Sequence, residues 1–398
     1  MTMSSLFNTG VTVSSSSCFD CMLRPGVRAF LEDTAVRLVD PSTGRNGYIL
    51  TTQPPVPGSK PYARLPIERD PFLADHTTSE VGGGGPNTAL ALADFCKRLK
   101  VPAEIRLIDS ATSPRELRER CEGAGVALLS LNHHACPTHL VVQLPRDKLI
   151  VRSSIAYPSK DLSPDERRRI RSRVQDVSAV VSVSPKSLPV AEALWEEAQS
   201  AARYLQPTGS LAALPTWRLL RAGTVVICNF DEFVALAGGL ECRSARASAI
   251  DEASSEAPEF LARLIAELFG ATGPGTCEAI VVTRGCHGCL VFDLQRRHSY
   301  KIELLVSSQN RVSTPSGSGE RFLAAYVLAR EVLRATPGVS QSELAPALNA
   351  SHRVAAGLGL ASSDYDLRVS VRQAANRWVR LRGPVDSQLR SSVALTPA

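Results

Sequence analysis

Short apolar runs of β-type residues alternate with amphipathic helical stretches through most of this chain, and that alternation restricts the fold more than any other feature. Val126-Ala-Leu-Leu-Ser, Ala179-Val-Val-Ser-Val-Ser, Thr224-Val-Val-Ile-Cys and Ala279 to Thr283 read as buried strands separated by helix-like segments. Nearly continuous apolar strands are buried on both faces, so the pattern predicts an α/β fold with a mostly parallel sheet flanked by helices. The helical segments include Pro189 to Leu205, Phe260 to Phe269, Leu344 to Leu358 and Ser370 to Leu381, and Ser113-Pro114 and Ser163-Pro164 carry the cap and N1 chemistry of helix starts. His139 to Ser154 holds two β-rich runs around a short polar turn and predicts a hairpin.

Two glycine-rich turns interrupt this rhythm, and each runs directly into a helix. Gly82-Gly-Gly-Gly-Pro-Asn87 precedes an apolar helical face through Leu99, and Thr314-Pro-Ser-Gly-Ser-Gly-Glu320 precedes another through Ala329. Such turns let a ligand approach the backbone, and unpaired N–H groups at a helix start favour an anion. Gly317, Ser318 and Gly319 therefore read as a phosphate site, with Glu320 in the first helical turn placed to act as a general base. The plain alternative is that acids are common at helix N-termini because of the dipole. No G-K-S or G-K-T sequence is present, which excludes a Walker-type P-loop.

Composition narrows the partners. Of 398 residues, 44% are hydrophobic and 21% charged, which fits a folded chain, and the net charge of +6 comes without dense basic stripes, so nucleic acid is not the expected partner. Arg167, Arg168, Arg169, Arg171 and Arg173 share their helix with Asp165 and Glu166 and read as a solvated face. No apolar run approaches the ~18 residues of a membrane span. The ten cysteines form no framework and read as reduced thiols in a cytoplasmic protein. Cys18-x-x-Cys21 and Cys286-x-x-Cys289 have zinc-like spacing, but one pair falls in a tail-like segment and the other in a turn. The Ser- and Thr-rich start lacks the arginines of an organelle-targeting segment. The expected organisation is a disordered tail over 1–30, one domain over 31–385 with lid elements within 36–80 and 138–156, and a loose tail over 386–398.

The segments V-G-G-G-G-P-N-T-A-L-A-L-A (81–93), N-F-D-E (229–232), V-V-T-R-G-C-H-G-C-L-V (281–291) and T-P-S-G-S-G-E-R-F (314–322), in this order, resemble the PfkB, or ribokinase-like, carbohydrate kinases over about residues 36–365. The resemblance implies a Rossmann-like α/β domain with a small β lid, ATP and Mg²⁺ as cofactors, and transfer of the γ-phosphate to a hydroxyl of a small sugar, polyol or nucleoside. It implies that Gly82, Gly83, Gly85 and Asn87 bind acceptor hydroxyls, with Asp40 as the acceptor-binding acid. It further implies that Asn229 and Glu232 organise Mg²⁺ and phosphate through water, that Thr283 and Gly285 border the nucleotide, and that His352 flanks the adenine. A homodimer through the lid is compatible with strand edges there. Two positions depart from the family's closing Asp-Thr-x-Gly-Ala-Gly-Asp: Thr314 replaces the first acid and Glu320 the last, the catalytic base. The alternative is therefore a catalytically impaired relative that binds ligands or regulates.

Overall fold

Residues 11 and 13 of the first strand are valines, residues 12 and 14 carry small hydroxyls, and all four are buried. This is strand β1 (Gly10–Ser15), in the interior of a nine-stranded sheet. The computed structural model describes residues 10–23, 77–99, 102–143, 148–152, 161–207, 216–239, 250, 254–272, 277–284, 289–294, 298–302 and 317–334. The expectation of a disordered tail over 1–30 fails for residues 10–23. The hydroxyls that suggested a tail are absorbed by long-range acceptors: Thr12 Oγ1 donates to the carbonyl of Arg173 at 2.7 Å.

The remaining strands are β2 (Cys18–Leu23), β3 (Thr77–Gly82), β4 (Ile105–Ala111), β5 (Val126–His134), β6 (Thr138–Gln143), β7 (Lys148–Arg152), β8 (Val177–Val183), β9 (Ala202–Gln206), β10 (Thr224–Asn229), β11 (Ala279–Thr283), β12 (Cys289–Asp293) and β13 (His298–Ile302). The large sheet has the order β13-β12-β11-β10-β9-β8-β1-β4-β5. It is parallel from β5 to β11 and finishes in the antiparallel pairs β11/β12 and β12/β13. The chain moves outward from β1 to β4 and β5, then returns to the other side of β1 at β8. The carboxyl ends of β1 and β8 therefore form a topological switch point, where open α/β sheets bind ligands.

The helices are α1 (Gly84–Leu99), α2 (Arg115–Ala124), α3 (Pro164–Val174), α4 (Leu188–Glu197), α5 (Phe230–Gly239), α6 (Ala257–Thr272) and α7 (Ser318–Arg334). Leu92 and Phe95 of α1, Leu117 of α2 and Phe322 of α7 share a core with Val13 and Val181. On the opposite face Ile170 of α3, Trp195 of α4, Phe233 of α5 and Ile265 of α6 pack with Val180 and Val226. The α3 start is a capping box between Ser163 and Glu166 with Pro at N1, as the sequence predicts. Ser113 does not cap α2; its hydroxyl donates instead to the buried Asp109 carboxylate at 2.7 Å, a stronger, charged acceptor.

One predicted helix divides in two. Pro189 to Leu205 is helical only to Glu197; the chain turns at Ala198 and enters β9, bonded between β8 and β10. Pairing on both sides outweighs local helix preference. On α3, Arg167, Arg168 and Arg171 pair with Glu196, Asp165 and Glu197. At the end of β5 His134 meets Ser110 Oγ at 3.1 Å, and His133 Nε2 lies 3.2 Å from Glu166. Among the described residues no helix is long and apolar enough to cross a membrane.

A smaller sheet, β3-β2-β6-β7, stands apart from the large one. Its β6/β7 hairpin runs from His139 opposite Arg152 to Gln143 opposite Lys148, within the 138–156 segment read as lid. Cys18 and Cys21 lie on β2 rather than in a tail. From the 36–80 segment, the described residues are Thr77 to Glu80 of β3. Only Ser16 and Ser17 separate β1 from β2, and Asp109 fixes that corner: it accepts from Ser17 N at 2.9 Å and Ser17 Oγ at 2.7 Å.

Candidate active site

The first glycine turn is packed onto the corner between the two sheets. A Cβ on Gly82 would stand 2.2 Å from Asp20 Oδ2, one on Gly83 2.7 Å from the Ser16 carbonyl, and one on Gly85 2.0 Å from Ser15 Cβ. Gly83 also has φ +112°, a region L side chains avoid. Three glycines are thus demanded by close packing in addition to any ligand. Gly85→Ala is expected to destabilise the fold by about 1–3 kcal/mol or more, because the clash is with a side-chain root that cannot swing away; urea unfolding measures it. Asn87 follows in the first turn of α1, its N–H bonded to the Gly83 carbonyl at 3.1 Å.

The second turn arrives at the same place from more than two hundred residues away. Gly317 has φ +81°, its carbonyl accepts from Arg321 N at 3.1 Å, and α7 begins at Ser318. Helices α1 and α7 pack side by side. The would-be Cβ of Gly84 lies 3.7 Å from Glu320 Oε1, 3.9 Å from Ser184 Oγ and 2.7 Å from Val183 Cγ1. Glu320 therefore reaches the first glycine turn at the end of β8.

Asn229 and Glu232 stand beside this point, at the end of β10. Asn229 N donates to Glu232 Oε2 at 2.9 Å, and Glu232 N donates to Asn229 Oδ1 at 2.8 Å. This is a capping box for α5, so the Asn-x-x-Glu spacing has a structural role of its own. Desolvation pushes the partly buried Glu232 carboxyl up to about 7; a hydrogen bond with the Asn229 backbone opposes this, the negative charge of Glu320 adds to it, and a hydrogen bond from Gln206 opposes it. Thr283, opposite Asn229 across β10/β11, donates its hydroxyl to the Cys228 carbonyl at 3.3 Å.

The sign of the Glu232 shift gives a second expected result. The folded state holds this proton more tightly than the unfolded chain, whose carboxyl titrates near the ordinary 4.5. Between that pH and about 7 the folded state binds more protons, so stability falls as pH rises. At pH 8 the full penalty, at most about 3 kcal/mol, is present. Glu232→Gln is expected to be more stable than the parent at pH 8 and to lose that advantage below pH 5; denaturant titrations at the two pH values check it.

The structure thus brings Gly82, Gly83, Gly85, Glu320, Gly317, Gly319 and Glu232 to one end of the sheet, with Asn229 and Thr283 alongside. Asp40, Gly285 and His352 lie outside the described residues. Because the first strand is Gly10–Ser15, the acid that follows it is Asp20 on β2, which abuts Gly82; reading the serine run as a tail hid it. Gln206 carries no motif signal and was legible only in three dimensions. The acceptor-rich set Glu232, Glu320 and Gln206, whose buried Oε1 has no partner among the described residues, fits a hydrated divalent cation.

No protein-family model matches this sequence, and no curated protein matches it. Solved structures do. Ribokinase from Giardia lamblia aligns with a TM-score of 0.60 at 15% identity, covering 92% of this chain and 100% of that one. Adenosine kinase from Schistosoma mansoni in complex with 2-fluoroadenosine gives 0.62 at 13%, covering 90% and 97%. Ribokinase from Arabidopsis thaliana complexed with ribose and ATP gives 0.52 at 16%, covering 92% and 98%. The mostly parallel sheet flanked by helices is the ribokinase-like α/β fold.

Proposed function

We propose that this protein is a phosphotransferase that moves the γ-phosphate of ATP to a hydroxyl of a small sugar, polyol or nucleoside. The observation that carries the reading is the approach of Glu320 Oε1 to the Gly82–Gly85 turn, which sets a carboxylate between an acceptor-side turn and a phosphate-side turn at the β1/β8 switch. Two solved structures of this fold name an acceptor-type ligand in place, ribose with ATP in one and 2-fluoroadenosine in the other.

Each residue then has a task. Asp20, Asn87 and the backbone of Gly82, Gly83 and Gly85 orient the acceptor through its hydroxyls. Glu320 accepts the proton of the reacting hydroxyl as its oxygen bonds to the γ-phosphorus; the bond to the β,γ-bridging oxygen breaks and ADP leaves with that electron pair. The N–H groups of Gly317 to Gly319, at the start of the 17-residue helix α7, stabilise the charge on the transferring group, the main requirement of phosphoryl transfer. Asn229 and Thr283, with Gly285 and His352, border the nucleotide. Glu232 holds Mg²⁺ through water; when bound, the cation supplies positive charge to the phosphates.

The test is Mg²⁺-ATP-dependent ADP release across a panel of sugars, inositols and nucleosides, with ATP binding measured in parallel. Acceptor-dependent release is expected. ATP binding with silence across the panel would favour a ligand-binding protein without transfer, the reading that Glu320 and Thr314 keep open, and absence of ATP binding would overturn both.

A further inference from the structure

Gln206 ends β9 and is only 9% exposed. Its backbone carbonyl accepts from Ser184 N at 2.8 Å, which anchors it at the end of β8. Its side-chain amide bonds to Glu232, and Nε2 lies 3.8 Å from where a Cβ on Gly319 would stand. One amide group therefore stands between the acid of α5 and the Gly317–Gly319 turn of α7. Its other atom, Oε1, is buried without a hydrogen-bond partner among the described residues.

Turning the amide over does not resolve this, because Oε1 would then face the Glu232 carboxylate, acceptor against acceptor. Buried amide oxygens are almost always paired, and this one, among several buried polar atoms without a partner among the described residues, is the one that lies beside Glu232 and so can accept from a donor that a ligand brings in. Ionised phosphate oxygens are acceptors only and cannot supply one. Water held by a divalent cation can, since Mg²⁺ dehydrates reluctantly and presents bound waters to its surroundings.

We propose that Gln206 is a positioning residue of the cation subsite, holding Glu232 beside the Gly317–Gly319 turn through its N–H and accepting from a cation-bound water through Oε1. The proposal rests on the phosphotransferase reading. It is tested on the full chain by electron paramagnetic resonance titration of Mn²⁺ in the presence of a non-hydrolysable methylene analogue of ATP, with metal-free binding of the analogue as reference. Gln206→Leu is expected to weaken Mn²⁺ binding about tenfold or more, the usual cost of losing an outer-shell partner, while metal-free analogue binding stays within about twofold. Gln206→Asn, which retains both the amide N–H and the acceptor oxygen, should bind Mn²⁺ more tightly than Gln206→Leu. Unchanged Mn²⁺ affinity in Gln206→Leu, an equal loss of metal-free analogue binding, or a Gln206→Asn variant that binds Mn²⁺ no better than Gln206→Leu each overturns the role. If the parent binds the analogue but no Mn²⁺, the cation subsite fails; if it binds neither, the phosphotransferase reading fails and takes this one with it.

Discussion

Glu320→Gln is expected to lower acceptor-dependent ADP release by about 10²- to 10⁴-fold, the usual contribution of a positioned general base, while ATP binding changes little. The amide keeps the size and polarity of the carboxylate but cannot take the acceptor proton. Glu320→Asp separates length from charge. The glutamate spans the gap to the Gly84 turn, its Oε1 3.7 Å from the point a Cβ there would fill. Retracting the carboxylate by one methylene moves it away from that turn, and a misplacement of ~1 Å costs on the order of 10²-fold. The Asp variant should therefore be slower than the parent. A faster Asp variant would mean that the site is shaped for the shorter acid, and a Gln variant as active as the parent would remove Glu320 from the chemistry. Both rates follow from coupled ADP release at saturating acceptor.

Glu278→Ala is expected to destabilise the protein by about 3–5 kcal/mol, the cost of breaking a buried ion pair from one side. Arg330, near the end of α7, is fully buried and pairs with Glu278, itself 5% exposed. The guanidinium also lies 5.6 Å from the centre of the Tyr204 ring, and the Tyr204 hydroxyl donates to Glu331 at 2.5 Å. Tyr326 meets Tyr204 edge-on at 6.3 Å. Removing the Glu278 carboxylate leaves the guanidinium without its ion-pair partner there. The double variant Glu278→Leu/Arg330→Met, which removes both charges, should recover most of the loss. Urea unfolding distinguishes these outcomes, and a single variant within 1 kcal/mol of the parent would show that water reaches the pair. The network fixes the far end of the helix that begins at the Gly317–Gly319 turn, to which the proposed reaction gives the phosphate.

Much of the architecture was legible because it is written in local spacing. The apolar runs at 126–130, 179–184, 224–228 and 279–283 are strands, and the two glycine turns do open helices. The β6/β7 hairpin announces itself by two β-rich runs around a polar turn. Asn229 and Glu232 were legible as a pair only through the resemblance; the structure adds that they form a capping box.

What failed was non-local. Gly10–Ser15 has the composition of a tail, and it becomes a central strand because β4 and β8 supply both of its ladders and Arg173 supplies an acceptor for Thr12. The acid beside the glycine turn is Asp20, two residues past the start of β2, while Asp40 lies outside the described residues. Ala202–Gln206 follows a helix without a strong break and becomes a strand only between β8 and β10. The sequence by itself determined the α/β alternation, the two glycine turns that open helices and the carboxylate of Glu320 in the first turn of α7, since these depend on residues within a few positions of one another. The tertiary structure alone decided which strand is central, that Glu320 approaches the Gly84 turn, and that Gln206 stands near both Glu232 and Gly319, because hydrogen-bonded register and the convergence of distant turns are set by pairing and burial across the whole sheet.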